Sequence, residues 1–388
     1  MTELQLSQST FATYRYYIIT AIIFLDFGIL FGGLNALRVA EIFNVPEIHR
    51  THWTSTLFGG MTVIMLGLLL YQIGLNLKVN IPLKILSIIV LILIILAAIS
   101  SYIVAWDQGN PLGMYFMPLI KLAALLYTLM VVYAIIFLDR RQPLLEEPAY
   151  YMIYAAVIWM AISLLYFLGY TGVIGPEFLT TYIYGFFSLT LFGTLSMVLP
   201  RIYGTKPRPK TAILRDTVML SLSATLLLFS DLFESDSTLM GFVGTICWGL
   251  VGFLFILYIF DLMFKTGISP VLLGLSVALI MFGFFVMDTL MKSVFPIWVT
   301  ASHVHFMFLG TLVISIIAVG LQFLSSEIDQ IQMSSKTQSI VIFTSIILIG
   351  TILLSFTLQV FAIAGVAGIL FFLFLISFEL TLVWQVIT

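Results

Sequence analysis

The chain has 388 residues, 61% of them hydrophobic and only 9% charged, with 16 Lys and Arg against 18 Asp and Glu. A soluble domain carries about a quarter charged residues, so this composition excludes a water-soluble enzyme. A formal charge of -2 offers no basic footprint for nucleic acid, and the lone Cys247 excludes a disulfide framework and any cysteine-built zinc or iron–sulfur centre.

A membrane-spanning helix needs about 20 mostly apolar residues. Twelve such runs follow one another, near 15–37, 52–76, 81–105, 113–138, 149–172, 178–203, 212–231, 238–263, 270–291, 301–324, 337–358 and 361–386. The connections are short, so the chain reads as an all-α integral membrane protein forming a single domain over 1–388. The first run has no small-residue cleavage site and exceeds a signal-peptide core, which makes it a retained helix. With the N-terminus cytoplasmic, twelve Lys and Arg fall on the inner side against three, Arg38, Arg50 and Lys292, on the outer side. That asymmetry puts both termini in the cytoplasm, and even-numbered helices then begin at the outer face.

In chain order, helix 1 carries Asp26. Helix 2 opens with His49 and His52, followed by Gly59. Helix 4 holds Lys121. Helix 6 contains Phe192-Gly193-Thr194-Leu195, with Phe186 seven residues before Gly193. The basic Arg201–Arg215 stretch follows on the cytoplasmic side. Asp231, Glu234 and Asp236 make an acidic outer loop after helix 7. Helix 9 carries Asp288, helix 10 opens with His303 and His305 followed by Gly310, and helix 12 carries Glu379.

The histidines are the most informative of these. All 4 in the chain form two tight pairs, at the outer ends of helices 2 and 10, as a cofactor held between helices requires. At about 100° per residue, His303 and His305 point roughly 200° apart, so they can serve two different centres, with His52 positioned to approach one from helix 2; the plainer alternative is that these histidines are polar anchors near the headgroups. Imidazole in an apolar surround suits haem iron. Gly59 follows His52 by seven residues, as Gly310 follows His303, which is about 10.5 Å along the same face. A glycine there leaves room for a flat macrocycle, or equally lets two helices approach closely. Leu309-Gly310-Thr311-Leu312 matches the helix-6 run and, more loosely, Phe58-Gly59-Gly60-Met61. Helices 2, 6 and 10 are four apart, so the chain reads as three four-helix units, about 15–138, 149–263 and 270–386.

Twelve helices in three units, with histidines at the outer ends of helices 2 and 10, resemble the catalytic subunit I of haem-copper oxidases. The local likeness is to the cbb-type oxidases and the related nitric oxide reductases. FLDFGILFGGLNALRVAEIFN followed by HRTHWTSTLFGG is similar to that family's passage from helix 1 to helix 2, and TASHVHFMFLG to its helix-10 H-V-H motif. The resemblance implies that His52 and His305 ligate a low-spin haem and that His303 ligates a high-spin haem. It also implies a copper or non-haem iron centre held by histidines of helices 6 and 7. Here Phe186 stands where the helix-6 histidine would be, and helix 7 has no histidine. The expectation is therefore a haem b protein, with one haem or two, lacking copper.

Such a chain would be a subunit of a respiratory membrane complex in a prokaryotic plasma membrane. It would relay electrons between quinol and an outward-facing cytochrome or cupredoxin-like protein, with the haem ligands toward the outer face. An active oxidase or nitric oxide reductase with an atypical second metal site is the enzymatic alternative, and a secondary transporter is a third. His49 reads as an interfacial anchor. Among intramembrane charges, Asp26 and Glu379 are candidates for lining a proton or quinone path, and Lys121 reads as an ion-pair partner inside the bundle. The acidic outer loop reads as solvated charge and, as the sharper alternative, as a dock for a basic redox partner.

Overall fold

The computed structural model describes residues 3–42, 48–77, 83–107, 110–138, 150–169, 175–233, 238–294, 305–327 and 333–387. Among them there is helix and no strand. This is the expected answer to a chain with too few polar side chains to solvate an exposed backbone, because a helix satisfies its own N–H and C=O groups within the segment. Eleven helices among the described residues are long and apolar enough to cross a membrane.

The helices are α1 (Glu3–Val39), α2 (48–77), α3 (Leu83–Trp106), α4 (111–138), α5 (Tyr150–Gly169) and α6 (176–202). They continue as α7 (Lys210–Leu232), α8 (Thr238–Thr266), α9 (Pro270–Val294), α10 (305–327), α11 (Ser335–Thr357) and α12 (Phe361–Ile387). In α10 the apolar stretch is the shorter Leu309–Leu321, because residues 295–304, where that run of the sequence begins, lie outside the described residues.

The chain divides into two compact units, Met1–Leu25 with Trp53–Gly244, and Asp26–His52 with Thr245–Thr388. In the first unit α3 packs along α4, and α6 packs against α5 and α7. Tyr17 donates to the Ser87 carbonyl at 2.6 Å and Tyr127 to the Leu66 carbonyl at 2.7 Å. Both phenols are thereby satisfied in an apolar interior, where an unmade hydrogen bond is costly. In the second unit α11 packs along α12, and α9 along α10. The outward faces are apolar: Phe264 is 90% exposed and Ile85 71%. Patches of that kind are tolerated where lipid, not water, covers them.

Besides a terminal π-helical segment in α4, Ala134–Leu138, three helices carry one at positions the sequence singles out: Thr54–Thr62 in α2, Thr181–Phe187 in α6 and Phe306–Val313 in α10. In α2 it reaches from five residues before Gly59 to three after it, and in α10 from four before Gly310 to three after it. Each is accompanied by a hydroxyl that reaches five residues back: Thr62 to Leu57 O at 2.6 Å, Ser188 to Ile183 O at 2.9 Å and Thr311 to Phe306 O at 3.2 Å. Ordinary helical back-bonds in this chain reach four residues, as from Thr190 to Phe186 O. Such π segments inside α-helices are rare and concentrate at functional sites.

Candidate functional site

The histidine pair belongs to the second unit. His52 stands in the first turn of α2, immediately before its π segment, and His305 heads the π segment of α10. Their ring centres are 6.3 Å apart and their planes within 8° of parallel. Both rings are half-buried.

Three contacts set the rings. His52 Nδ1 is 2.8 Å from the Gly28 carbonyl oxygen; a carbonyl only accepts, so Nδ1 carries the proton and the neutral ring's lone pair is on Nε2. A backbone carbonyl in this role fixes both tautomer and orientation of a metal-binding histidine. Gly32, one turn further along α1, leaves the space the ring occupies: a Cβ there would stand 2.8 Å from His52 Cε1 and 3.0 Å from Nδ1. On the other side, Phe356 of α11 lies against the His305 ring, centres 4.5 Å apart and planes 22° from parallel.

Metal–nitrogen bonds are about 2 Å long, and with roughly 1 Å from each nitrogen to its ring centre, one metal between two imidazoles sets the centres roughly 6 Å apart. The observed pair has that separation. Among the described residues no group of three or more His, Cys, Asp or Glu gathers around a common point. Two donors do not complete the shell of a bare ion, but they do complete that of a metal whose other four ligands come from a macrocycle. Two imidazoles are the protein ligands that such a macrocycle-bound metal would take.

The two glycines expected to make room for a macrocycle are filled from elsewhere. A Cβ at Gly59 would stand 2.6 Å from Phe24 Cδ1, and one at Gly310 2.7 Å from Met281 Cβ. Both serve close packing, and the glycines that meet the His52 ring are Gly28, through its carbonyl, and Gly32. His49 is exposed, consistent with an anchoring role. His303 lies outside the described residues, as do Glu234 and Asp236 of the outer loop.

Phe186 is fully buried in the first unit. Its ring centre is 5.4 Å from that of Tyr182 and 5.7 Å from that of Phe187. With Phe58, Thr62, Tyr127 and Met160 it lines an apolar cavity of about 60 Å³. A phenyl ring has no lone pair to give a metal, so this position contributes packing only.

The other charges sort by position. Lys121 donates to the Leu168 carbonyl at 3.3 Å and its ammonium lies 5.7 Å from the centre of the Phe167 ring, both at the end of α5. Asp288 is half-buried on α9. Asp231 accepts from Thr180 Oγ1 at 2.5 Å, which ties α7 to α6 and makes this carboxylate more than a solvated loop charge.

Within the basic stretch, Arg208 folds inward. Its Nη2 is 2.7 Å from Asp216 Oδ2 and its Nη1 donates to Ser196 Oγ at 3.2 Å. Arg215 donates to Asp216 Oδ1 through Nε at 2.9 Å and Nη2 at 2.8 Å. Arg208 is 6% exposed and Asp216 0%, so part of a stretch that sequence accounts for by topology alone is a buried ion network. No model of a known protein family matches the chain, and no curated protein matches its sequence.

Proposed function

We propose that this chain is a haem b-binding membrane subunit of a respiratory electron-transfer complex, a twelve-helix bundle of the haem-copper oxidase subunit I kind without the dioxygen-reducing second metal. The reading rests first on His52 and His305: two near-parallel imidazoles at a separation suited to one metal, one of them with Nδ1 anchored on a backbone carbonyl. Bis-histidine haem iron supplies one-electron transfer. The protein's own part would be to hold the two imidazoles in place. Gly28 orients His52, Gly32 gives it space, and Phe356 backs His305.

The matching π segments beside Gly59 and Gly310 favour the internal repeat on which the family likeness depends. The charge asymmetry of the connections favours cytoplasmic termini and outward-facing histidines. That arrangement, in a prokaryotic plasma membrane, suits electron exchange between quinol in the bilayer and a cytochrome or cupredoxin-like partner outside. A second haem on His303 belongs to the same reading.

Pyridine haemochrome and metal analysis of the purified chain test it together. The expected result is haem b at one or two per chain with neither copper nor non-haem iron in stoichiometric amount. A stoichiometric second metal would replace this reading with the oxidase or reductase alternative, and absence of haem would remove it.

Gly32→Val is a further check on the anchoring. Its side chain would collide with the His52 ring and pull Nδ1 from the Gly28 carbonyl. Loss of such an orienting contact costs about 10–100-fold in metal affinity. Haem titration of the variant is expected to show a weakening of that order, whereas an unchanged affinity would mean that Gly32 does not set the ring.

A further inference from the structure

Two carboxyls meet inside the second unit. Asp26 of α1 is 2% exposed, and its Oδ2 is buried without a hydrogen-bond partner. The carboxyl of Glu379, on α12, lies within hydrogen-bonding reach of the Asp26 carboxyl. The two helices touch backbone to backbone a little further along: a Cβ at Gly33 would stand 2.9 Å from the Gly365 oxygen, and one at Gly368 3.0 Å from Gly33 Cα. Glu379 itself is half-buried, and its helix neighbours Ser377, Leu380 and Thr381 are exposed. One carboxyl of the pair is thus reached from the surface of the unit, while the other is enclosed.

A carboxylate oxygen can only accept a hydrogen bond, so two carboxyls that bond to each other must hold a proton between them. Two adjacent negative charges in an apolar interior are not a stable alternative. Ionisable side chains within a membrane segment are costly and mark ion or proton pathways.

We infer that Asp26 and Glu379 form an intramembrane proton-exchange site. Glu379 takes up a proton at the surface of the unit and donates it through its O–H to the Asp26 carboxylate. Glu379 is then the carboxylate and is ready to take another proton; the reverse transfer empties the site. No electron moves and no covalent bond other than O–H is exchanged. The inference does not depend on haem, since neither carboxyl is assigned to iron.

Infrared spectroscopy of the full chain tests it. The wild-type protein is expected to show the C=O stretch of a protonated carboxyl, shifting when the sample is moved to D2O. The band is expected to be altered in Asp26→Asn and in Glu379→Gln, and missing in the double variant. A double variant indistinguishable from wild type in this region would overturn the proposal, and so would a wild-type band inert to D2O, which would mark a sealed pair.

A second test needs no substitution. A hydrophobic carbodiimide, which reacts with protonated carboxyls in apolar surroundings, is expected to label Glu379 in membranes in preference to the exposed Asp107. Equal or slower labelling of Glu379 would also overturn it.

Discussion

On the proposed haem site, replacing His52 with alanine is expected to abolish a low-spin b-type spectrum in the purified chain. His52 and His305 approach each other in the second unit, and no group of three or more potential metal ligands is gathered among the described residues. Loss of a contact that merely orients a metal ligand costs about 10–100-fold in affinity, so loss of the ligand itself should cost more. The variant is expected to purify without haem or with a five-coordinate, high-spin remnant. His305→Ala should behave in the same way, because it removes the opposite side of the same axis. His49→Ala is the control: its side chain is exposed, and the spectrum should be that of the wild type. Loss of pigment from the His49 variant with retention in the other two would move the site elsewhere.

Asp216→Ala is expected to destabilise the first unit by about 3–5 kcal/mol, the cost of removing one partner from a buried ion pair. The carboxylate is fully buried and receives three donors from two arginines. Its removal leaves the Arg208 guanidinium enclosed with only Ser196 among those contacts. Thermal unfolding in detergent should show a clear drop in midpoint, with little change in any bound pigment. Asp261 makes the opposite case. Its pair with Lys265, one turn apart on α8, is exposed on both sides, and such pairs contribute little. Asp261→Ala should leave the midpoint within experimental scatter; equal effects from the two substitutions would contradict this ranking of the ion pairs.

What sequence discloses here follows from what is local. Twelve apolar runs announce a helical membrane protein because length and hydrophobicity alone determine whether a helix can span a bilayer. Two histidine pairs at matching helix starts disclose a candidate site, and the structure brings one member of each pair together. The contacts that set the rings are tertiary and leave no local mark. Gly32 is one of five glycines within the FLDFGILFGG and LFGG runs of α1 and α2, and nothing in spacing distinguishes it until the His52 ring is seen against it.

The seven-residue interval from histidine to glycine is real periodicity with a second cause. It places Gly59 under Phe24 and Gly310 under Met281, so helix packing explains it. Asp26 and Glu379 are legible as membrane charges, but their meeting across more than three hundred residues is not. Arg208 reads as one more cytoplasmic cation because its carboxylate partner lies within an otherwise apolar helix. The π segments follow from no single residue type. Those in α2, α6 and α10 have hydroxyls reaching five residues back, a pattern recognisable only once the backbone is known.

Electron paramagnetic resonance of the oxidised, purified chain tests the proposed iron site at His52 and His305 most directly. Imidazole planes within 8° of parallel predict a rhombic low-spin ferric signal, present in the wild type and absent from both His52→Ala and His305→Ala. A sample with no low-spin ferric haem, or one whose signal survives both substitutions, would contradict the account.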